Sequence, residues 1–310
     1  MDEVDVVDIV TPNYLHMPIA VAAAENKKHV ICEKPLALNL EQSRKMYQAV
    51  KRAGIKHCVA FNYRMTPAVL EAKRMIEQGQ IGEIYHFRGV YLQDWAIDAN
   101  SPLVWRFRAA RAGSGSLGDI ASHTIDYARY LVGESSEVVA ISKTFVKERP
   151  LDGIEDKVTK PARKGKVDVD DAVSFLIKFK NGAIGSIEAS RFCYGRKNHL
   201  AFEISGSEGA LHFNWERRNE LLFYSAESPA NQQGFTTILT GPAHPYGGVL
   251  WPIPGLGMSY IETTVFLLQE FLKSIVKDQF IEPNFYDGLR VSKIMNAVLK
   301  SAAEQRWIKC

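Results

Sequence analysis

The chain has 310 residues, 46% of them hydrophobic and 24% charged, a composition that can bury a sizeable core and belongs to a globular protein. Its 38 Lys and Arg nearly cancel 35 Asp and Glu to leave a formal charge of +3, and nothing in the sequence forms the concentrated basic face that nucleic-acid binding needs. The longest apolar runs, such as Val4 to Val10 interrupted by Asp5 and Asp8, are too short to span a bilayer.

The opening MDEVDVVDIV lacks the basic, apolar and small-residue regions of a signal peptide. Cys32, Cys58, Cys193 and Cys310 form no CxxC pair and no metal spacing, so reduced thiols and a cytoplasmic location are expected. Strand-like Val4–Val10, His29–Cys32 and His57–Phe61 alternate with helical patterns over Met17–Glu25 and Leu40–Arg52. That alternation predicts right-handed βαβ crossovers and a parallel sheet. The near-continuous apolar Val6–Val10 suits a strand buried on both faces.

After Phe61 the pattern changes. A helix over Ala68–Gln78 is followed by strand-like Tyr85–Leu92, a helix over Leu117–Leu131, then Val138–Val146, Val173–Phe179, Ala183–Arg191, Ala201–Ser205, Ala210–Phe213 and Glu220–Tyr224. Lys180-Asn181-Gly182 and Ser207-Glu208-Gly209 read as hairpin turns, so this region predicts an α+β unit with an open, mostly antiparallel sheet. Residues 146–170 and the Pro/Gly-rich stretch 241–257 read as loops, and Tyr260–Asp278 and Asp287–Gln305 as closing helices. The expected division is 1–64, 65–284 and a C-terminal helix, 285–310, folded back on the first part.

Glu33-Lys34-Pro35 follows a predicted parallel strand at its carboxyl end, where ligands bind in open α/β sheets. A lysine there suits acid/base work, and equally suits a surface position before a proline. In Gly113-Ser-Gly-Ser-Leu-Gly-Asp-Ile-Ala-Ser-His-Thr-Ile-Asp126 the glycines permit close backbone approach to a ligand. Asp119 and His123 are four apart and share a helix face, whether turned to a cleft or to solvent. Asp126 could support His123. No third ligand has plausible spacing for zinc, so no metal is expected. Trp95, Asp94, His244, Tyr246 and Trp251 are possible sugar-binding side chains or plain packing residues.

Thr11-Pro12-Asn13…His16, Glu33-Lys34-Pro35 and Gly118-Asp119…His123 occur in that order. The set resembles the glucose–fructose oxidoreductase / inositol dehydrogenase family (Gfo/Idh/MocA), over essentially the whole chain. The resemblance implies a Rossmann domain followed by an open-sheet domain. It also implies hydride transfer between NAD or NADP and a secondary alcohol of a sugar or polyol. Lys34 would polarise the reacting oxygen, His123 would exchange the hydroxyl proton, and Asp119 would assist. Thr11, Pro12, Asn13, His16, Glu33, Pro35, Asn62, Trp105 and Arg106 would line the cofactor, with Arg64 a further wall residue.

The family's opening strand–GxGxxG–helix is missing. The glycines at 113, 115 and 118 have the spacing but do not open a βαβ unit. Val4–Val10 would then be an uncovered edge, and the expectation is a truncated chain rather than one whose edge a partner covers. A homo-oligomer, dimer or tetramer, is expected because a large open sheet face needs cover. A non-catalytic scaffold or an NAD-assisted glycosidase of the same family remain competing readings.

Overall fold

The computed structural model describes residues 3–151, 163–251 and 257–310; the loop expectations for 152–162 and 252–256 lie outside them. The N-terminal part is β1 (Val6–Ile9), α1 (His16–Glu25), β2 (His29–Cys32), α2 (Leu40–Ala53) and β3 (His57–Val59). The three strands form a parallel sheet in the order β1-β2-β3, with Val7 opposite Val30 and Ile31 opposite Cys58. α2 starts where the Asn39 side chain accepts the Gln42 N–H and stops at Gly54, whose φ of +69° favours glycine.

β1 departs from the expectation. Only Ile9 is buried; Val6 and Val7 are half-buried, Asp8 is exposed and Val10 is 70% exposed. An edge strand is covered by neighbours on one side only, so an apolar run alone does not report burial on both faces.

The remainder comprises α3 (Pro67–Glu77), β4 (Ile84–Leu92), α4 (Ala109–Ala112), α5 (Ser122–Leu131), β5 (Ser135–Lys143), β6 (Glu148–Pro150), β7 (Lys164–Lys166), β8 (Ala172–Phe179), β9 (Ile184–Ser190), β10 (His199–Gly206), β11 (Gly209–Asn214), β12 (Glu220–Ser225), β13 (Thr236–Leu239), α6 (Gly247–Leu250), α7 (Tyr260–Val276), α8 (Phe285–Glu304) and β14 (Ile308–Lys309). Nine strands form one sheet in the order β13-β12-β11-β10-β4-β9-β8-β5-β14. Only β4 and β9 are parallel; the other pairs are antiparallel. The expected α/β architecture, a small parallel sheet beside a larger and mostly antiparallel one, is therefore present. β6 and β7 make a separate ribbon within the stretch read as loop.

The helix expected over 117–131 is two structures. Leu117–Ala121 is a wide π-type turn and Ser122–Leu131 is regular α-helix, a form of irregularity common near functional sites. Its start is fastened from afar. The Asp170 carboxylate accepts the N–H groups of Gly115 and Leu117 at 2.7 and 2.8 Å and the Ser116 hydroxyl at 2.6 Å. α8 ties the two sheets together: Ser292 meets Ser43 of α2 at 2.8 Å, and Ser301 Oγ accepts the Ala140 N–H of β5 at 3.0 Å.

Candidate active site

Lys34 stands just past the carboxyl end of β2, and its peptide bond to Pro35 is cis. Its ammonium donates to the Asp119 backbone carbonyl and lies 3.7 Å from Asp119 Oδ1. The other carboxylate oxygen, Oδ2, faces Arg191 Nη1 at 3.6 Å. Lys34 and Asp119 keep 19% and 22% of their side chains exposed, so they are held yet reachable. The π-type turn brings Asp119 to the lysine, and the following helix turn places His123 beside it.

His123 is 4% exposed and enclosed by the rings of Tyr63, Phe61 and Tyr91 at 4.7, 5.9 and 6.1 Å. Burial, followed by the positive charge of Lys34, holds its pKa well below the usual imidazole value. A neutral imidazole next to a lysine ammonium can accept a proton and already has a cation beside it.

A cleft of about 440 Å³ is lined by Thr11, Pro12, Asn13, Glu33, Lys34 and Pro35 on one side and by Trp105, Arg106 and Asp119 on the other. A second lobe of about 330 Å³ is lined by Tyr63, Tyr91, Gln93, Trp95 and His123. Lys34, Arg106, Asp119 and Tyr260 line both lobes. One lobe is polar, the other aromatic and hydroxyl-rich, and they meet at Lys34 and Asp119. Thr11, which lines the first lobe, has its Oγ1 buried without a hydrogen-bond partner. In the second lobe Tyr63 Oη lies 2.9 Å from Tyr91 Oη, Tyr91 donates to Asn198 at 2.6 Å, and Trp95 donates to Gln93 at 2.8 Å.

Several expected residues serve elsewhere. His16 is fully buried beneath the cleft, its ring nitrogens facing the carbonyls of Thr11 at 2.9 Å and Pro35 at 3.1 Å. It braces the two loops that form the wall. Asn62 turns to α7, donating to Thr263 Oγ1 at 2.7 Å. Arg64 and Asp126 bond each other at 2.7 and 2.5 Å in the core, so Asp126 does not support His123 and Arg64 is no wall residue. Asp94 pairs with Lys197 at 2.6 Å, His244 Nδ1 accepts the Gly241 N–H, Tyr246 stacks on Phe266 at 4.2 Å, and Trp251 is buried. Of the five possible sugar-binding residues, Trp95 reaches the second lobe.

The glycines also find a different purpose. A Cβ on Gly113 would fall 2.3 Å from the Leu38 carbonyl oxygen, and one on Gly115 would fall 1.7 Å from that of Asp170. They let the chain approach itself. The sequence reading missed Tyr260, Tyr63, Tyr91 and Gln93. Tyr260 had a legible marker: it is the first residue of α7, behind a Ser259/Glu262 capping box. Among the described residues, no cluster of three His, Cys, Asp or Glu could hold a metal, and no helix is long and apolar enough to cross a membrane.

Residues 1–61 match the family model for the oxidoreductase family, NAD-binding Rossmann fold, and residues 69–212 match that for the GFO/IDH/MocA C-terminal domain. The chain belongs to the Gfo/Idh/MocA family. It is thereby an NAD(P)-using oxidoreductase by family. Levoglucosan dehydrogenase of Pseudarthrobacter phenanthrenivorans is 53% identical over 311 residues, 99% of this chain and 80% of that protein. The scyllo-inositol 2-dehydrogenase (NAD(+)) of Bacillus subtilis is 32% identical over 225 residues, 72% of this chain and 59% of that one. A solved levoglucosan dehydrogenase in complex with NADH and levoglucosan superposes with a TM-score of 0.93 at 54% identity, covering 98% of this chain and 80% of that structure.

Proposed function

We propose that the site oxidises a secondary alcohol of a sugar, anhydro-sugar or polyol at the expense of NAD or NADP, with levoglucosan the first compound to try. The observation that carries this reading is the junction of the two lobes at Lys34 and Asp119. A ligand in each lobe would meet at that point. The bound nicotinamide supplies the hydride acceptor, because no side chain can take a hydride. Thr11, Pro12, Asn13, Glu33, Pro35, Trp105 and Arg106 line the lobe assigned to it. Lys34 presents its ammonium to the reacting oxygen and stabilises negative charge as the O–H proton leaves. His123, kept neutral by burial, accepts that proton, and Asp119 holds Lys34 in place. Tyr63, Tyr91, Gln93 and Trp95 orient the ring and hydroxyls of the substrate.

Among the described residues no glycine-rich turn follows a strand of the small parallel sheet. The change from parallel to mostly antiparallel sheet and the start of α8 support a division at 64/65 and 284/285. The outer face of the nine-stranded sheet exposes Ile141, Leu176 and Ile184, which supports a homo-oligomer joined through that face. The cytoplasm is the compartment consistent with four free cysteines. The test is a titration of NADH and NADPH by nucleotide fluorescence, followed by levoglucosan and inositol oxidation monitored at the reduced nicotinamide band. Saturable binding and turnover are expected; no binding of either nucleotide sinks the reading.

A further inference from the structure

Arg191, directly after β9, is fully buried in the wall behind the site. Its guanidinium lies 5.3 Å from the Trp95 ring and 5.2 Å from that of Phe107. Nη2 donates to the Asp170 carbonyl at 3.0 Å, while Nε and Nη1 have no hydrogen-bond partner. A buried cation with two unused donors is costly unless a charge lies close by. Two do. Asp171 Oδ1, itself buried and unpartnered, is 3.6 Å from Nη2, and Asp119 Oδ2 is 3.6 Å from Nη1. Asp119 is thus shared, one oxygen towards Lys34 and the other towards Arg191. Gly115 makes room for this approach, since a Cβ there would stand 2.9 Å from Arg191 Nη2.

We propose that Arg191 is a positioning residue for the acid/base group, anchoring Asp119 from behind and taking part of its negative charge away from Lys34. The inference rests on the acid/base reading of Lys34 and Asp119, but its geometry does not involve the cofactor. Asp119 cannot swing fully onto Lys34 while Arg191 holds its second oxygen. The ammonium therefore stays free to turn to a ligand oxygen. Asp171 faces the arginine's other terminal nitrogen, and the neighbouring rings of Trp95 and Phe107 pack against the guanidinium.

The experiment uses the whole chain without cofactor or substrate, so a failed nucleotide titration leaves it intact. The rate of Lys34 acetylation by limiting acetic anhydride is followed by peptide mass spectrometry. Acylation requires the free amine. Arg191→Gln retains a donor for the Asp170 carbonyl but hands the whole Asp119 charge to Lys34, so Lys34 should label about threefold more slowly. A merely structural role predicts the opposite, since a loosened wall exposes Lys34. An unchanged or faster rate overturns the proposal. Arg191→Lys, which keeps the charge, should restore the wild-type rate, and a rate as low as that of the Gln variant also overturns it. Should Arg191→Gln fail to fold, Asp119→Asn tests the same balance: Lys34 then faces the arginine unshielded and should label at least about threefold faster. No change there overturns the proposal as well.

Discussion

Arg64 and Asp126 form a bidentate ion pair, Nε to Oδ2 at 2.7 Å and Nη2 to Oδ1 at 2.5 Å, with each side chain 2% exposed. Asp287, the N3 residue of the α8 capping box, joins them at 3.1 Å. The pair therefore connects the 3-10 turn after β3 with α5 and α8. Removing the Asp126 charge leaves Arg64 with Asp287 as its buried partner, so the loss is that of hydrogen bonds to a charged group, about 1.5–3 kcal/mol. Asp126→Asn should lose stability of that order in urea unfolding while the Lys34–Asp119 contact survives. A stability within error of wild type would remove the pair from the account.

His57 sits at the start of β3, and its Nδ1 accepts the Phe285 N–H at 3.2 Å. Burial lowers its pKa from 6.5 to about 4. The unfolded chain takes up the proton near pH 6.5 and the folded chain only near 4, so stability is complete above 6.5 and falls between these limits. The difference amounts to about 3 kcal/mol. His123 and His29, also lowered by burial, act with the same sign. His57→Gln can keep an acceptor for Phe285 but cannot titrate. Urea midpoints measured from pH 7.5 to 4.5 should fall less steeply for this variant; parallel slopes would refute the assignment.

The regular elements were legible because their signals are local: β2 spans His29–Cys32 as read, and Asn181-Gly182 closes the β8–β9 hairpin with Gly182 at φ +95°. Lys34, Asp119 and His123 were legible because each belongs to a short ordered motif. What escaped has a common cause, dependence on distant partners. Asp170 lies in a stretch that reads as loop, yet it fastens residues 115–117. Arg191 and Tyr260 come to the site from 72 and 141 positions beyond Asp119 (191 − 119 and 260 − 119), with no periodicity to mark them. Asp126 misled for the same reason: its spacing to His123 was visible, and its partner Arg64 was not.

The loop glycines differ sharply in what they exclude. A Cβ on Gly115 would meet the backbone oxygen of Asp170 at 1.7 Å, whereas one on Gly118 would meet the Ser114 hydroxyl at 2.6 Å. The hydroxyl can rotate and the backbone cannot. Gly115→Ala should cost about 3 kcal/mol or more through overpacking, against about 1 kcal/mol for Gly118→Ala. Thermal melts of the two variants check this, and equal losses would mean the loop at Asp170 shifts freely.

Lys34 and His123 carry the heaviest functional prediction. If His123 takes the hydroxyl proton, His123→Asn removes the acceptor but leaves the lobe's volume nearly intact. Turnover should then drop about 100-fold or more with little change in substrate KM. Lys34→Met removes the cation next to the reacting oxygen and should lower kcat by a similar factor. It also leaves Asp119 with Arg191 as its remaining ion-pair partner, and because Lys34 and His123 act on one proton transfer, the double variant should be no worse than about tenfold below the weaker single one. Steady-state oxidation of levoglucosan or inositol, with NADH binding measured in parallel, separates lost chemistry from lost nucleotide. Near-wild-type kcat in His123→Asn would remove His123 as the proton acceptor.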